Sequence, residues 1–208
     1  MAVYTEVGAD EVRALLARLG APPLTALRGI PSGIENTNYF VDTEGAPFVL
    51  TLFERIPREQ LPYYLQLMKH LARAGIPVPD PQADPDGALW FELKPAALLT
   101  RLPGEHRLAP DLQHCELVGA MLARLHLAGA SLPVSQPHPR GLDWWRRTVP
   151  EVLPFVDAPT AALLEDELAF QSTVAESAAG RELPAGPIHA DLFLDNVMFD
   201  DQERLTGF

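Results

Sequence analysis

Cysteine is almost missing from this 208-residue chain. Cys115 stands alone, which excludes both an internal disulfide framework and a cysteine-rich metal site. Long hydrophobic runs are missing too, since no stretch approaches the roughly 18 consecutive apolar residues that a membrane span needs. Positive charge is scarce: 16 Lys and Arg against 28 Asp and Glu leave a formal net charge of −12. Nucleic-acid phosphates and anionic membrane surfaces both call for a basic face, so neither is an expected partner. A small polyanion remains admissible, because a local nest of backbone N–H groups and a metal ion outweigh distant surface charge. The first sixteen residues show neither the basic start nor the apolar core of a secretory signal. With the lone cysteine, this makes the cytoplasm the expected compartment.

What is present is the composition of a globular protein, with 47% hydrophobic and 21% charged residues. The 21 prolines predict many loops and abrupt element ends. A short amphipathic helix is predicted over 10–19, with Asp10 as its N-cap and Gly20 as its stop. Three strands follow, near 24–30, 38–41 and 48–52, and then a long helix over 58–74. Two more strands flank the turn at Asp84-Pro85-Asp86-Gly87. Beyond Pro103-Gly104 the pattern turns helical. One helix spans 111–128, with Leu112, Leu117, Val118, Met121, Leu122 and Leu125 as its expected core face, and another spans 160–178. A strand-rich half followed by a helix-rich half predicts an α+β arrangement in two lobes. The N-terminal lobe is 1–99, with about five antiparallel strands and one long helix. A hinge at 100–104 joins it to a second, mainly helical lobe at 105–208.

The segment His189-Ala190-Asp191-Leu192-Phe193-Leu194-Asp195-Asn196, followed by Val197-Met198-Phe199, carries the chemistry. An Asp, an Asn five residues later and a short apolar strand have the order of a kinase catalytic loop. Phosphoryl transfer needs an acceptor hydroxyl held in line, a carboxylate for its proton, and metal to neutralise phosphate charge. Asp191 suits the carboxylate role. The side-chain oxygen of Asn196 suits Mg²⁺, a hard cation that prefers oxygen ligands. His189 is read as a support for the loop backbone. His126 is read as a satisfied, partly buried residue at a helix end.

Gly33 to Phe40, Val49 to Glu54, Leu61 to Tyr64, Gly75 to Pro79, Lys94 to Ala96 and the loop from His189 to Phe199 resemble the matching stretches of bacterial homoserine kinases. These belong to the aminoglycoside-phosphotransferase-like, protein-kinase-like superfamily. The resemblance implies a bilobal kinase-like fold and transfer of the γ-phosphoryl of ATP to the side-chain hydroxyl of L-homoserine, with Mg²⁺, in threonine biosynthesis. It also implies that Ser32, Gly33, Ile34, Asn36 and Asn38 form or brace a phosphate-covering loop. Thr100, through its carbonyl, and Leu102, through its N–H, would meet the adenine edge.

Two departures accompany the resemblance. Thr51 stands where most protein-kinase-like enzymes carry a third-strand Lys, and no replacement cation is evident. The metal-binding Asp expected after Thr206-Gly207-Phe208 is not reached, so the chain is expected to be a C-terminally shortened fragment with little or no activity. The alternatives are a kinase for another small hydroxyl compound (aminoglycoside, choline or sugar) and a nucleotide-binding module without catalysis.

Overall fold

The computed structural model describes residues 4–31, 33, 35–92 and 95–208. Two compact units emerge, one of Met1–Pro133 with Pro187–Phe208 and the other of Val134–Gly186.

The first unit begins with helix α1 (Ala9–Leu19). Its N-cap is Gly8 and not Asp10: the Glu11 carboxylate accepts the Gly8 N–H at 2.7 Å, while Asp10 pairs with Arg13. Gly20 closes the helix in the left-handed region at φ 62°, a conformation glycine adopts without steric cost. Strands β1 (Leu24–Gly29), β2 (Asn36–Thr43) and β3 (Phe48–Phe53) form an antiparallel meander. Helix α2 (Leu61–Arg73) follows, then β4 (Phe91–Glu92) and β5 (Pro95–Thr100). The sheet order is β1-β2-β3-β5-β4, giving the five antiparallel strands expected.

Strand alternation sorts the sheet into two faces. Tyr39, Val41, Phe48, Leu50, Leu52 and Leu98 pack with Val12, Leu15 and Leu16 of α1. Ala97 and Leu99 face the other way, against Leu61 and Leu65 of α2. Because Thr51 pairs with Ala97, and Asn38 with Thr51, these two polar residues share the α2 face.

Helix α3 (Leu112–Gly129) starts at Asp111, whose carboxylate accepts the His114 N–H at 3.0 Å. Its expected core face is only partly used. Leu125 is buried with Leu71 and Ile76, and Met121 packs beside them, whereas Leu112 is 88% exposed. Strands β6 (Met198–Phe199) and β7 (Leu205–Gly207) form a small hairpin that ends the unit.

The second unit holds α4 (Leu142–Val152), α5 (Ala158–Glu176) and α6 (Ala178–Glu182). Asp157 caps α5 by accepting the Thr160 N–H, and Arg146 ties α4 to Glu176 at 3.2 Å. None of these helices has a buried residue. Among the described residues no helix is long and apolar enough to cross a membrane.

Candidate active site

The loop ahead of β6 is a compact turn. Ala190 sits at φ 61°, in a region that a residue with a Cβ enters only under constraint. That kink starts a reversal in which the Phe193 N–H donates to the Asp191 carbonyl at 3.0 Å and the Asn196 N–H to the Phe193 carbonyl at 3.0 Å. The Asn196 side chain closes the loop. Its Nδ2 donates to the Asp191 carbonyl oxygen at 2.6 Å and lies 3.2 Å from Asp191 Oδ2. The carboxylate and the amide expected to act together are therefore brought together, with Asp191 exposed to solvent.

The committed nitrogen of Asn196 leaves its oxygen as the open pole, and among the described residues no hydrogen bond reaches Oδ1. A hard cation that prefers oxygen ligands fits this pole beside the Asp191 carboxylate. No group of three or more His, Cys, Asp or Glu side chains able to hold a metal occurs among the described residues. The donor set suits Mg²⁺, which takes one or two protein oxygens and completes its shell with phosphate and water.

His189 is half-buried, and its Nδ1 faces the Asp191 N–H at 3.4 Å. Burial holds its imidazole below the ordinary histidine range. The Asp191 charge opposes that shift and neighbouring His126 adds to it. A neutral ring accepting a backbone N–H is the state a supporting residue needs. His126 departs from expectation, since its Nε2 is buried with no partner among the described residues.

The expected hinge is clasped to the β6–β7 hairpin. Glu105 and Phe199 exchange two backbone hydrogen bonds, at 2.8 and 2.9 Å. Thr206 Oγ1 donates to the Pro103 carbonyl at 2.6 Å, and His106 Nδ1 lies 3.1 Å from the Val197 carbonyl. Leu102 presses on Gly207, where a Cβ would fall 2.5 Å from Leu102 Cδ1. Upstream, Thr100 exchanges hydrogen bonds with Asp80, and the Arg101 N–H donates to the Pro47 carbonyl. Residues 100–105 thus run from the end of β5 to the β6–β7 hairpin. The clasp was not legible beforehand, because Thr206 and Pro103 lie 103 positions apart and nothing in either segment specifies the other as its partner.

In the expected phosphate loop, Ser32 and Ile34 lie outside the described residues. Gly33 has φ 108°, which favours glycine. Asn36 opens β2 with a buried Oδ1 that no described residue partners. Asn38 Oδ1 accepts the Thr51 hydroxyl at 2.7 Å. Gly33, Asn36 and Asn38 thus belong to one end of the sheet.

Residues 26–208 match the phosphotransferase enzyme (APH) family. The whole chain is 55% identical over 210 residues to a homoserine kinase of Polaromonas naphthalenivorans (strain CJ2), covering 66% of that protein. It is 50% identical over 209 residues to one from Burkholderia cenocepacia (strain HI2424), covering 63% of it. The chain therefore spans slightly less than two thirds of the length of these relatives. Among solved structures, a spectinomycin phosphotransferase in complex with ADP and spectinomycin aligns with TM-score 0.61 at 17% identity, over 98% of this chain and 69% of that one. A choline kinase from Cryptosporidium parvum Iowa II aligns with TM-score 0.61 at 14% identity, over 96% of this chain and 63% of that one. At such identities the two structures establish the fold, which is the α+β, protein-kinase-like class expected.

Proposed function

The chain belongs to the phosphotransferase enzyme family, and from that premise we propose that the protein phosphorylates the side-chain hydroxyl of L-homoserine with ATP, giving O-phospho-L-homoserine for threonine synthesis. The observation that carries this reading is identity of 49–55% across the whole chain with homoserine kinases of several bacteria. The paired Asp191 and Asn196 supply the chemistry such a reaction requires.

Asp191 is assigned the acceptor side. Asn196 fixes Oδ2 and the backbone carbonyl of Asp191, so the carboxylate is oriented before substrate arrives. Its free oxygen would accept the hydrogen bond of the homoserine hydroxyl. It would receive that proton as the new oxygen–phosphorus bond forms and the bond to the ADP oxygen breaks. Asn196 Oδ1 is assigned to Mg²⁺, which in such reactions neutralises charge on the transferred phosphoryl group. His189, half-buried and held below the ordinary histidine range by that burial, is assigned to supporting the Asp191 backbone. The adenine ring is assigned to the Thr100 carbonyl and Leu102 N–H, and the phosphates to the loop from Ser32 to Asn36 with Asn38. The functional division is proposed at 1–99, 100–104 and 105–208. ATP is held in the cytoplasm, and the protein is proposed to act there.

The test is ADP release by the full-length natural protein against a panel of homoserine, serine, threonine, choline, a simple sugar and an aminoglycoside. Homoserine should give the highest kcat/KM. Turnover with choline or an aminoglycoside but not with homoserine would refute the assignment. ADP binding without turnover of any acceptor would favour a module that only binds nucleotide.

A further inference from the structure

The α2 face of the sheet carries polar side chains where apolar ones would be expected. Asn38 and Thr51 sit opposite each other in the β2–β3 register, both inside strands. Thr51 is 6% exposed, and its hydroxyl donates to Asn38 Oδ1 at 2.7 Å. A polar pair in a half-buried strand weakens packing unless its remaining hydrogen-bonding capacity is used. Asn38 spends its acceptor on Thr51, and among the described residues its Nδ2 has no partner.

The unpartnered nitrogen has a definite address. A Cβ built on Gly33 would lie 3.8 Å from Asn38 Nδ2 and 3.9 Å from the Asn36 carbonyl, so the amide lies directly under the loop at Gly33. The Thr51 hydroxyl, which can donate or accept, anchors one end of the amide and so leaves the other end toward the loop. With Oδ1 accepting from Thr51, the end left facing the loop is Nδ2. Arg28 and Arg101 share this face through Phe40, but both pair with Asp42, at 3.3 and 3.5 Å.

We propose that Asn38 donates its side-chain N–H to a phosphate oxygen of the bound nucleotide, and that Thr51 is the positioning residue that anchors the amide beneath the loop. A neutral hydrogen-bonded pair then takes the place of the third-strand cation. This assignment rests on the kinase reading above and names how that site handles phosphate. A neutral donor discriminates less by charge and more by direction, so the orientation set by Thr51 is the part that matters.

The experiment measures ADP and adenosine affinities of the full-length natural protein by calorimetry at fixed Mg²⁺. Thr51→Val keeps the side-chain shape and removes the hydroxyl. It should weaken ADP binding about 10- to 100-fold, the scale of one hydrogen bond to a charged group, and leave adenosine affinity within about twofold. Thr51→Ser should restore ADP affinity. Asn38→Asp, nearly isosteric, should weaken ADP further by setting a carboxylate against phosphate, and Thr51→Val should add nothing in an Asn38→Ala background. Thermal melts check folding, and Thr51→Val carries the test alone if an Asn38 variant does not fold. ADP affinity equal to wild type in Thr51→Val, or an equal loss for adenosine, overturns the assignment. A wild-type protein that binds no ADP refutes the kinase reading itself.

Discussion

The side-chain nitrogen of Asn196 lies 2.6 Å from the carbonyl oxygen of Asp191 and 3.2 Å from its carboxylate. One amide therefore ties down both the backbone and the side chain of the exposed acid, five residues upstream. Such a bridge makes the two residues a unit, and their substitutions should not be additive.

Asp191→Ala in the full-length protein should lower kcat by about 10²–10⁴ while ADP affinity stays close to wild type, as loss of a general base predicts. Steady-state kinetics paired with ADP calorimetry decide this. Undiminished turnover would remove Asp191 from the proposed role.

Asn196→Ala should raise the Mg²⁺ concentration needed for half-maximal activity and also lower kcat, because the Asp191 carboxylate loses its tether. A Mg²⁺ titration of Asn196→Ala and Asn196→Asp separates these effects. The carboxylate variant should recover metal affinity without recovering the hydrogen bond to Asp191. An unchanged titration in the alanine variant would argue against the metal assignment.

The hairpin gives a pH dependence. His114 lies 2.7 Å from Glu203 and 2.7 Å from Asp111, and Glu203 also binds Arg107 at 3.0 Å. Glu203 first and Asp111 second raise the His114 pKa above the ordinary histidine value. The folded state thus binds the proton more tightly than the unfolded chain. The resulting stabilisation is complete below the ordinary value near 6.5 and is lost as pH rises through the elevated one. The melting temperature should fall across that interval, and the slope should flatten in His114→Gln. Added salt should reduce it, because both carboxylates are substantially exposed. Identical slopes in wild type and His114→Gln would contradict this account.

Gly104 and Gly87 separate strain from crowding. Both have positive φ, 105° and 84°. A Cβ on Gly104 would fall 2.5 Å from Thr206 Oγ1 and 2.6 Å from the Phe199 carbonyl oxygen, whereas one on Gly87 meets nothing within 4 Å. Gly87→Ala should cost about 1–2 kcal/mol from backbone strain alone. Gly104→Ala should cost about 2–4 kcal/mol, the strain plus displacement of backbone at the clasp. Urea denaturation of both variants measures the difference, and equal losses would mean that the clasp yields freely.

The sequence was most informative where local chemistry dictates geometry. Apolar runs such as Phe48 to Leu52 announced strands, though not that helices cover the sheet on both faces, and Gly20 announced a helix end. The order Asp191, Asn196 and apolar strand announced a turn that brings the carboxylate and the amide together. It was least informative where distant residues decide. Leu112 carries the helical spacing of a core position yet lies in the first turn of α3, where no other element covers it. Asp10 has the chemistry of a cap, but Glu11 reaches the Gly8 N–H and fixes the start earlier. Thr51 read only as a missing lysine. Its partnership with Asn38 depends on the β2–β3 register, which no single strand's residues specify.

The clasp between residues 102–105 and the terminal hairpin bears on how a purine would enter. Leu102 is braced by Gly207, Pro103 by Thr206 and Glu105 by Phe199, while Arg101 is fastened to Pro47. This ribbon has little slack left to lose, so nucleotide would meet a slot already in shape and little ordering entropy would oppose its arrival. Exchange of the hydrogen-bonded Arg101 and Glu105 amides should accordingly be slow in the empty protein and barely slower once ADP is added.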